Sequence, residues 1–436
     1  MRAMGGVRAV PRFTHVPAVV INHAMPDTHR DTIDPAMPVT NSYPELGTGP
    51  IDVAPLISEA LFETERAAVF GRTWLMVARV EELAAPGDYK VRQLDVANTS
   101  VILVRDRDGS VNAFHNICTH RGNKLISDHG DQMLGHARNH SFTCRFHAWT
   151  FATDGRLHGV PRADRFANLD RDCLGLKRIH CEQWEGFVFI NLAAEPATDL
   201  RTYLDGMAPH FAGYPYHEST ARYRYSTVLN CNWKVALYAF SEAYHVRTIH
   251  AATFPSLATL EHTEFRCFGP HSTSGLYVPP VPGLSPTPAT AAFGKRLHDS
   301  GTHAPHLDEL PAAVNPRRRE DFQFEFACFF PNTVFHLCAG NGYPGMTYFI
   351  HQFWPIDVDR TLWEGTNFFR APGSPGERIA IAHTTALHRN AWLEDTSTME
   401  ETHAALKSGV LDELVLMDEE IMIRNTHKHW HDYMGT

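Results

Sequence analysis

Cys118-Thr-His120-Arg-Gly and Cys144-Arg-Phe-His147-Ala-Trp are the two stretches on which the reading of this chain turns. Each brings one thiol and one imidazole, as Cys-x-His in the first and Cys-x2-His in the second. Two thiolates with two imidazoles suit either a structural zinc ion or an iron–sulfur centre. Zinc sets usually pair cysteine with cysteine and histidine with histidine. One Cys and one His per loop is instead what a [2Fe–2S] cluster needs when two cysteines hold one iron and two histidines the other. A zinc scaffold remains the competing reading at this stage.

Around these loops, from Trp74 to Leu192, short apolar runs alternate with turn residues. Ser100–Val104 is followed by Arg105-Asp-Arg-Asp-Gly109 and then by Val111–His115, and further turns fall at Pro86-Gly-Asp88 and Thr153-Asp-Gly155. That spacing predicts a small all-β domain ending in the apolar run Trp184–Leu192. Beyond it the pattern mixes. Helices are expected over Trp233–His250, Arg378–Leu406 and Leu411–Trp430, and strands over Thr333–Ala339 and Met346–Pro355. Blocks of this kind without βαβ alternation predict an α+β fold. Residues 269–316, rich in Pro, Gly, Ser and Thr, read as a long loop. The expected division is a mobile N-terminal extension over 1–48, a β domain over 75–198, and a second domain from 49–74 and 199–436.

Composition narrows the function classes. The 436 residues are 43% hydrophobic and 20% charged, with a formal net charge of -10. Nucleic acid and anionic membrane surfaces demand clustered Lys and Arg, so neither is expected as a partner. No apolar run approaches the ~18 residues of a spanning helix. Val16–Ile21, broken by Pro17, is too short for a signal-peptide core. A cytoplasmic location is the expectation. The eight cysteines of so long a chain do not form a disulfide framework, and the six outside the two loops read as ordinary buried thiols.

A second constellation follows Asn232-Trp-Lys234: Glu242-Ala-Tyr-His245-Val-Arg-Thr-Ile-His250. On a helix Glu242 and His245 share a face. His245 and His250 stand about 140° apart on an ideal helix, so both reach one metal only if the helix bends or ends there. Pro255 downstream is consistent with an ending. Taken alone, these read rather as histidines of an amphipathic helix.

Trp74, Pro86-Gly-Asp88, Arg105–Gly109, Ala113-Phe-His-Asn116 and the two Cys/His loops running to Phe151 resemble, in that order, the Rieske domain of bacterial ring-hydroxylating oxygenases, the Rieske non-haem iron oxygenases. The resemblance runs from about Leu61 to the C-terminus. It implies an all-β domain holding a [2Fe–2S] cluster on Cys118, His120, Cys144 and His147. It also implies a catalytic domain of the helix-grip (START-like) kind, an antiparallel sheet flanked by helices. There His245, His250 and a downstream carboxylate would hold mononuclear Fe(II), a facial triad with positions left open for O2. Trp392-Leu-Glu394-Asp395-Thr-Ser-Thr-Met399-Glu400 resembles the segment carrying that carboxylate. The Met-Glu pair selects Asp395, with Glu394 a near competitor and Asp418 and Glu419 remote ones. Glu242 would bridge a cluster histidine of one subunit to an iron-ligand histidine of the next, which implies a homotrimer, α-only or with a small β subunit.

The resemblance further implies a terminal oxygenase fed by a separate NAD(P)H-dependent reductase, directly or through a ferredoxin. It would hydroxylate, dihydroxylate or demethylate an aromatic or other small organic substrate, as in aromatic hydrocarbon catabolism. The rival is an electron-carrying Rieske protein whose second site is structural. The chain departs from the family pattern at Arg145-Phe146, where Pro-Tyr is common, and at Ala148, where Gly is common. Glu242 replaces the Asp of many members, and Tyr238-Ala239 replaces Glu-Asn. Phe146 lacks a hydroxyl that could hydrogen-bond near a cluster ligand, which bears on the reduction potential.

Two motifs invite over-reading. Gly340-Asn-Gly-Tyr-Pro-Gly345 matches G-x-G-x-x-G, but a strand pattern follows it where a dinucleotide site needs a helix, so a hairpin is expected and no NAD or flavin site. His427-Lys-His429-Trp-His431 looks metal-like, yet a chain with 28 histidines clusters some by chance.

Overall fold

The computed structural model describes residues 39–127, 132–254, 261–278, 306–339, 345 and 347–436. A short strand, β1 (Ile51–Asp52), and helices α1 (Ala54–Ile57) and α2 (Glu59–Glu65) lead in. The Ser58 hydroxyl caps α2 by accepting from the Leu61 amide at 3.3 Å.

Strands β2 (Trp74–Arg79), β3 (Asp88–Leu94), β4 (Thr99–Arg105), β5 (Val111–His115) and β6 (Gln132–His136) follow. After them come β7 (Ser141–Thr143), β8 (Thr150–Ala152), β9 (Leu157–Gly159), β10 (Arg178–Trp184) and β11 (Phe187–Asn191). Seven of these form an antiparallel sheet in the order β2-β11-β10-β5-β4-β3-β6, and β7-β8-β9 form a second, small one. Alternation along β4 sets the two faces. Ile102 and Val104 join Phe114, Phe142, Trp149 and Phe151 in a satellite core beneath the Cys/His loops. Val101 and Leu103 face the other way, into the main core shared with the rest of the chain.

The remainder begins with α3 (Leu200–Leu204), α4 (Met207–Phe211), β12 (Ala221–Leu229), α5 (Trp233–Ala239) and α6 (Val246–Ile249). Strands β13 (Glu261–Phe268), β14 (His271–Tyr277), β15 (Phe322–Phe329), β16 (Thr333–Cys338), β17 (Thr347–Pro355) and β18 (Thr361–Phe369) come next. Helix α7 (Pro375–Leu406), strand β19 (Glu413–Leu414) and helix α8 (Ile421–Met434) complete the order. The second large sheet runs β12-β18-β17-β16-β15-β14-β13, antiparallel throughout. Phe324 and Phe326 on β15 share a core with α5 and α7. Phe322 and Phe329 point the other way, to α3 and α4. This is the expected α+β arrangement: an all-β domain, and an antiparallel sheet flanked by helices.

Several local expectations are corrected. The single helix expected over Trp233–His250 is broken at 240–245. The helix expected over Leu411–Trp430 starts only at Ile421, because Leu414 and Glu413 pair with Ile51 and Asp52 instead. The loop expected over 269–316 contains β14, whose seven residues are all buried; its small polar side chains hide a central strand from composition. Residues 279–305 of that loop lie outside the described residues, as do 1–38 of the expected mobile extension. The rest of that extension is anchored, with Val39 and Thr40 donating backbone N–H to Asp418. Cys231, Cys328 and Cys338 are buried, but Cys181 and Cys267 are only half-buried and Cys173 is exposed. Strands β16 and β17 are antiparallel partners, with Cys338 facing Thr347, while residues 340–344 of the hairpin expected between them lie outside the described residues. Among the described residues no helix is long and apolar enough to cross a membrane.

Candidate metal centres

The two Cys/His loops lie at one end of the β domain. Cys118 follows β5 and Cys144 follows β7, and each opens a tight turn closed by an amide four residues on. Gly122 N–H donates to the Cys118 carbonyl (2.9 Å), and Ala148 N–H to that of Cys144 (2.9 Å). Both turns need a left-handed residue, Gly122 at φ 75° and Ala148 at φ 55°. Glycine adopts that conformation freely and alanine does not.

The four side chains converge. Both cysteines are buried and both histidines half-buried, so the imidazoles form the outer edge of the set. The rings of His120 and His147 are 4.6 Å apart between centroids, and His120 stacks on Trp149 at 4.6 Å. Asn123 Nδ2 donates to Cys144 Sγ at 3.7 Å. Burial opposes a thiolate at Cys144, but the Phe146 amide, Cys118 and the His147 amide outweigh it and bring that thiol below its usual range. His147 Nδ1 is buried with no hydrogen-bond partner among the described residues. Two thiols, one biased towards thiolate, and an orphaned imidazole nitrogen are the donors that a [2Fe–2S] cluster with mixed ligation takes. A depression of ≈ 500 Å³ beside the imidazoles is lined by His120, His147, Trp149, Arg162, Arg165 and Phe166, among others.

The second set is built around the break after α5. Asn232 caps that helix by accepting from Lys234 N–H (3.0 Å). Trp233 Nε1 and Trp430 Nε1 both donate to the buried Glu65 carboxylate, at 2.6 and 2.5 Å, and Lys234 forms an ion pair with it. The Asn-Trp-Lys motif is thus an anchor tying α5 to α2 and α8. The chain then leaves helical geometry, and α6 is a single turn flanked by His245 before it and His250 after it. That turn resolves the angular problem posed by a five-residue spacing, because neither histidine has to lie on a continued helix.

Asp395 meets them from α7. The buried positions of that helix recur at Ile381, Thr384, His388, Trp392, Asp395, Met399 and Leu406, and Asp395 lies on this inward stripe. Its Oδ1 is 3.0 Å from His250 Nε2 and 3.5 Å from His245 Nε2. Buried, and hydrogen-bonded to neither ring among the described residues, that oxygen and the two nitrogens all lie within 4.8 Å of one another. Two imidazoles and one carboxylate on one side of a point are the donors of a facial iron triad.

The neighbours orient these donors. Glu242 does not share a helix face with His245, as the pattern suggested; it lies in the break, where its carboxylate accepts from the Tyr244 and His245 amides and pairs with His245 Nδ1. Glu394 Oε2 holds His250 Nδ1 at 2.8 Å, while Oε1 accepts from Thr253 (2.5 Å). The near competitor for third ligand is therefore an orienting partner, a role the sequence reading missed although adjacency to Asp395 was a signal. Burial alone would lower His250, but the carboxylates of Asp395 and Glu394 leave it raised. Asp418 is occupied by Thr40, whose hydroxyl donates to it at 2.6 Å.

Beside the triad the sheet face carries buried polar groups that sequence reasoning also missed. Trp392, one turn before Asp395, contacts His351 with centroids 4.6 Å apart. His336 has no partner at either ring nitrogen among the described residues, nor has His351 at Nε2. Burial holds both far below the usual imidazole range, and His388 at about 3. Phe240, Phe349 and Trp363 enclose them. Alternation on β16 and β17, which places His336 and His351 among inward apolar residues, was the available signal.

Comparisons with known proteins agree with this geometry. Residues 73–179 match the Rieske [2Fe-2S] domain. The oxygenase subunit of carnitine monooxygenase from Escherichia coli (strain K12) is 36% identical over 191 residues, 43% of this chain and 49% of that protein. The chain thus spans about half the length of that relative. The large oxygenase component of the naphthalene 1,2-dioxygenase system from Pseudomonas putida is 28% identical over 332 residues, 70% of this chain and 68% of that one. The crystal structure of the quaternary ammonium Rieske monooxygenase CntA with an inhibitor shares the fold, with a TM-score of 0.69 at 22% identity over 91% of this chain and 98% of that one. Residues 216–436 match the family described as ring hydroxylating alpha subunit (catalytic domain), and to that family, with its Rieske cluster and mononuclear iron site, this chain belongs.

Proposed function

We propose that the protein is the terminal oxygenase of a multicomponent system, and that it hydroxylates, dihydroxylates or demethylates a small organic substrate. The observation that carries this reading is the approach of His245 Nε2 and His250 Nε2 to the buried Asp395 Oδ1 in a chain that also gathers Cys118, His120, Cys144 and His147. When bound, the cluster supplies single electrons and ferrous iron supplies O2 activation. The rest falls to the protein. Glu242 and Glu394 each fix one triad imidazole through Nδ1, leaving Nε2 as the ligand atom. Phe240, Phe349, Trp363 and Trp392 pack around His336 and His351 on the sheet face that Trp392, three residues before Asp395, touches. The neutral rings of His336 and His351 offer hydrogen bonds there, which favours a substrate with an aromatic or aliphatic body and at least one polar atom over a bare hydrocarbon.

Electrons come from a separate NAD(P)H-dependent reductase, directly or through a ferredoxin. The cluster end, with Phe166 exposed beside Arg162 and Arg165 and Phe146 exposed under Arg121, is suited to docking against acidic surface. Glu242, its side chain 11% exposed, lies beside the 69% exposed Tyr244. A homotrimer, with or without a small β subunit, places that face of one subunit against the cluster end of the next, and Glu242 then bridges the centres. The cytoplasm is the fitting location for a protein fed by such a reductase.

Analysis of the purified protein tests the reading. Iron and acid-labile sulfide in about the ratio of one cluster plus one further iron, a reduced EPR signal with a low average g, and substrate-dependent O2 uptake with a surrogate reductase are expected. Zinc without labile sulfide would overturn it in favour of a scaffold. A cluster without mononuclear iron or O2 uptake would leave an electron carrier.

A further inference from the structure

His427 and His431 are not ornaments of an exposed helix end. They stand one turn apart on α8, at the i, i+4 spacing by which a helix presents two imidazoles to one ion. Asp52, on β1, meets them. Its Oδ1 is 2.7 Å from His427 Nε2 and 3.0 Å from His431 Nε2, and the two nitrogens are 3.2 Å apart. For a triangle of those edges, a point about 2.0–2.1 Å from all three atoms, the usual zinc–ligand distance, lies about 1 Å off its plane.

The far side of each ring is already held. His427 Nδ1 is 3.2 Å from Tyr238 Oη, and His431 Nδ1 is 2.7 Å from Thr436 Oγ1. An Nδ1–H donated to such an oxygen leaves Nε2 as a bare lone pair, which is the tautomer a metal takes. In that tautomer two bare nitrogens and a carboxylate oxygen this close repel one another unless a cation lies among them; in the other, each Nε2–H donates to Asp52. His427 is buried while Asp52 and His431 are half-buried, so the open side faces solvent, which can supply the remaining ligand. His429, between them, turns away to Asp432, with Nδ1 3.2 Å from Oδ2.

We propose that Asp52, His427 and His431 form a third metal site, separate from the cluster and the triad, for a first-row divalent ion of the zinc type. Its donor set matches that of the triad, but this site clips β1, near the start of the described residues, onto the last helix of the chain. The bound ion joins two segments far apart in sequence and therefore stabilises the folded state.

Zinc titration of tag-free holoenzyme against a competing chromophoric chelator decides the matter, with wild type, Asp52→Asn and His431→Ala compared. Wild type should bind one more equivalent of Zn2+ than Asp52→Asn, or bind it at least tenfold more tightly, with cluster absorbance and iron content unchanged. Should His431→Ala fail to fold, Asp52→Asn, which keeps the shape and hydrogen-bonding capacity of the side chain, still decides. Equal zinc uptake by wild type and Asp52→Asn, with the cluster intact in both, would overturn the site and leave Asp52 as an acceptor for two imidazole N–H groups.

Discussion

The cluster loops and the triad both gather donors at a point, but they reach it by different routes. Each cluster loop is local: a cysteine, a turn closed four residues on, and a histidine carried at its edge. The triad is assembled at long range, from two histidines flanking a single helical turn and an aspartate on the inward stripe of a different helix. The cluster donors rest on a small satellite core of their own. The triad rests on the main core, through α5, α7 and the Glu65 anchor. A fault in a local loop should therefore stay local. A fault in a triad donor should remove its metal without disturbing the other centre.

The largest expected effect tests that independence. Asp395→Ala should lower turnover by on the order of 10⁴-fold or more, as loss of a member of an interdependent catalytic set does. It should also remove mononuclear iron, while labile sulfide and the visible spectrum of the cluster stay at wild-type levels. Retention of both iron and turnover would disqualify Asp395 as third ligand. Loss of the cluster as well would show that the two centres fold as one unit.

A smaller effect separates ligand from orienting partner. Glu394→Gln keeps the bulk and one acceptor but removes the charge facing His250 Nδ1, and should weaken iron binding by roughly 10–100-fold. Excess ferrous iron should then restore much of the activity, which it cannot do for Asp395→Ala. Glu242→Gln acts on His245 in the same way, and a rate loss that added iron does not repair would mark its further part in electron transfer between subunits. If Glu394→Gln behaves as Asp395→Ala does, the two acids share the metal.

The same contrast explains what could be read from the chain before folding. The cluster was legible because each half of it lies within a few consecutive residues, and the all-β domain because its strands and turns alternate within short windows. His245 and His250 were legible as a pair, but their spacing fitted no continuous helix, and the break at 240–245 that reconciles them shows only in the folded chain. Asp395 is preferred to Glu394 through the Met-Glu pair of the resembling segment, and only the folded helix shows it on the buried stripe, three residues after Trp392 and four before Met399. The roles of Glu394 and Asp52 were hidden, because each is defined by a partner far away in sequence. Strand β14 was hidden for another reason: Ser, Thr and Gly composition reads as loop, and only burial between two neighbouring strands makes it a ladder. The fold class needed only periodicity, whereas the second metal centre needed tertiary contacts.

Within the cluster loops the departures at 146 and 148 give finer tests. Phe146→Tyr adds a hydroxyl to a ring whose centroid lies 3.8 Å from that of His147, tilted by 32°. A hydrogen bond of about 1 kcal/mol to the cluster favours its more negative, reduced form, and for one electron this corresponds to a rise of roughly 40 mV in potential. Protein-film voltammetry reads the shift directly. An unchanged potential would mean that the hydroxyl reaches only solvent.

The smallest effect concerns the two matching turns. Ala148 and Gly122 occupy the same position after their cysteines, and both have positive φ. A left-handed alanine costs about 1–2 kcal/mol, while glycine there loses roughly 0.4–1 kcal/mol through the greater freedom of its unfolded chain. Ala148→Gly should therefore stabilise the second loop by somewhat under 1 kcal/mol net, and Gly122→Ala should destabilise the first by a similar amount. Space does not complicate the comparison at Gly122, where an added Cβ meets only Ile117 Cδ1, at 3.9 Å. The bleaching temperature of the cluster absorbance is the measurement, and a shift of one or two degrees upward for Ala148→Gly and downward for Gly122→Ala is expected. Because each turn is closed by its own hydrogen bond, the two shifts should add in the double variant. A double variant that departs from the sum would show that the loops stabilise each other through the cluster they share, and that the centre is less local than its sequence suggests.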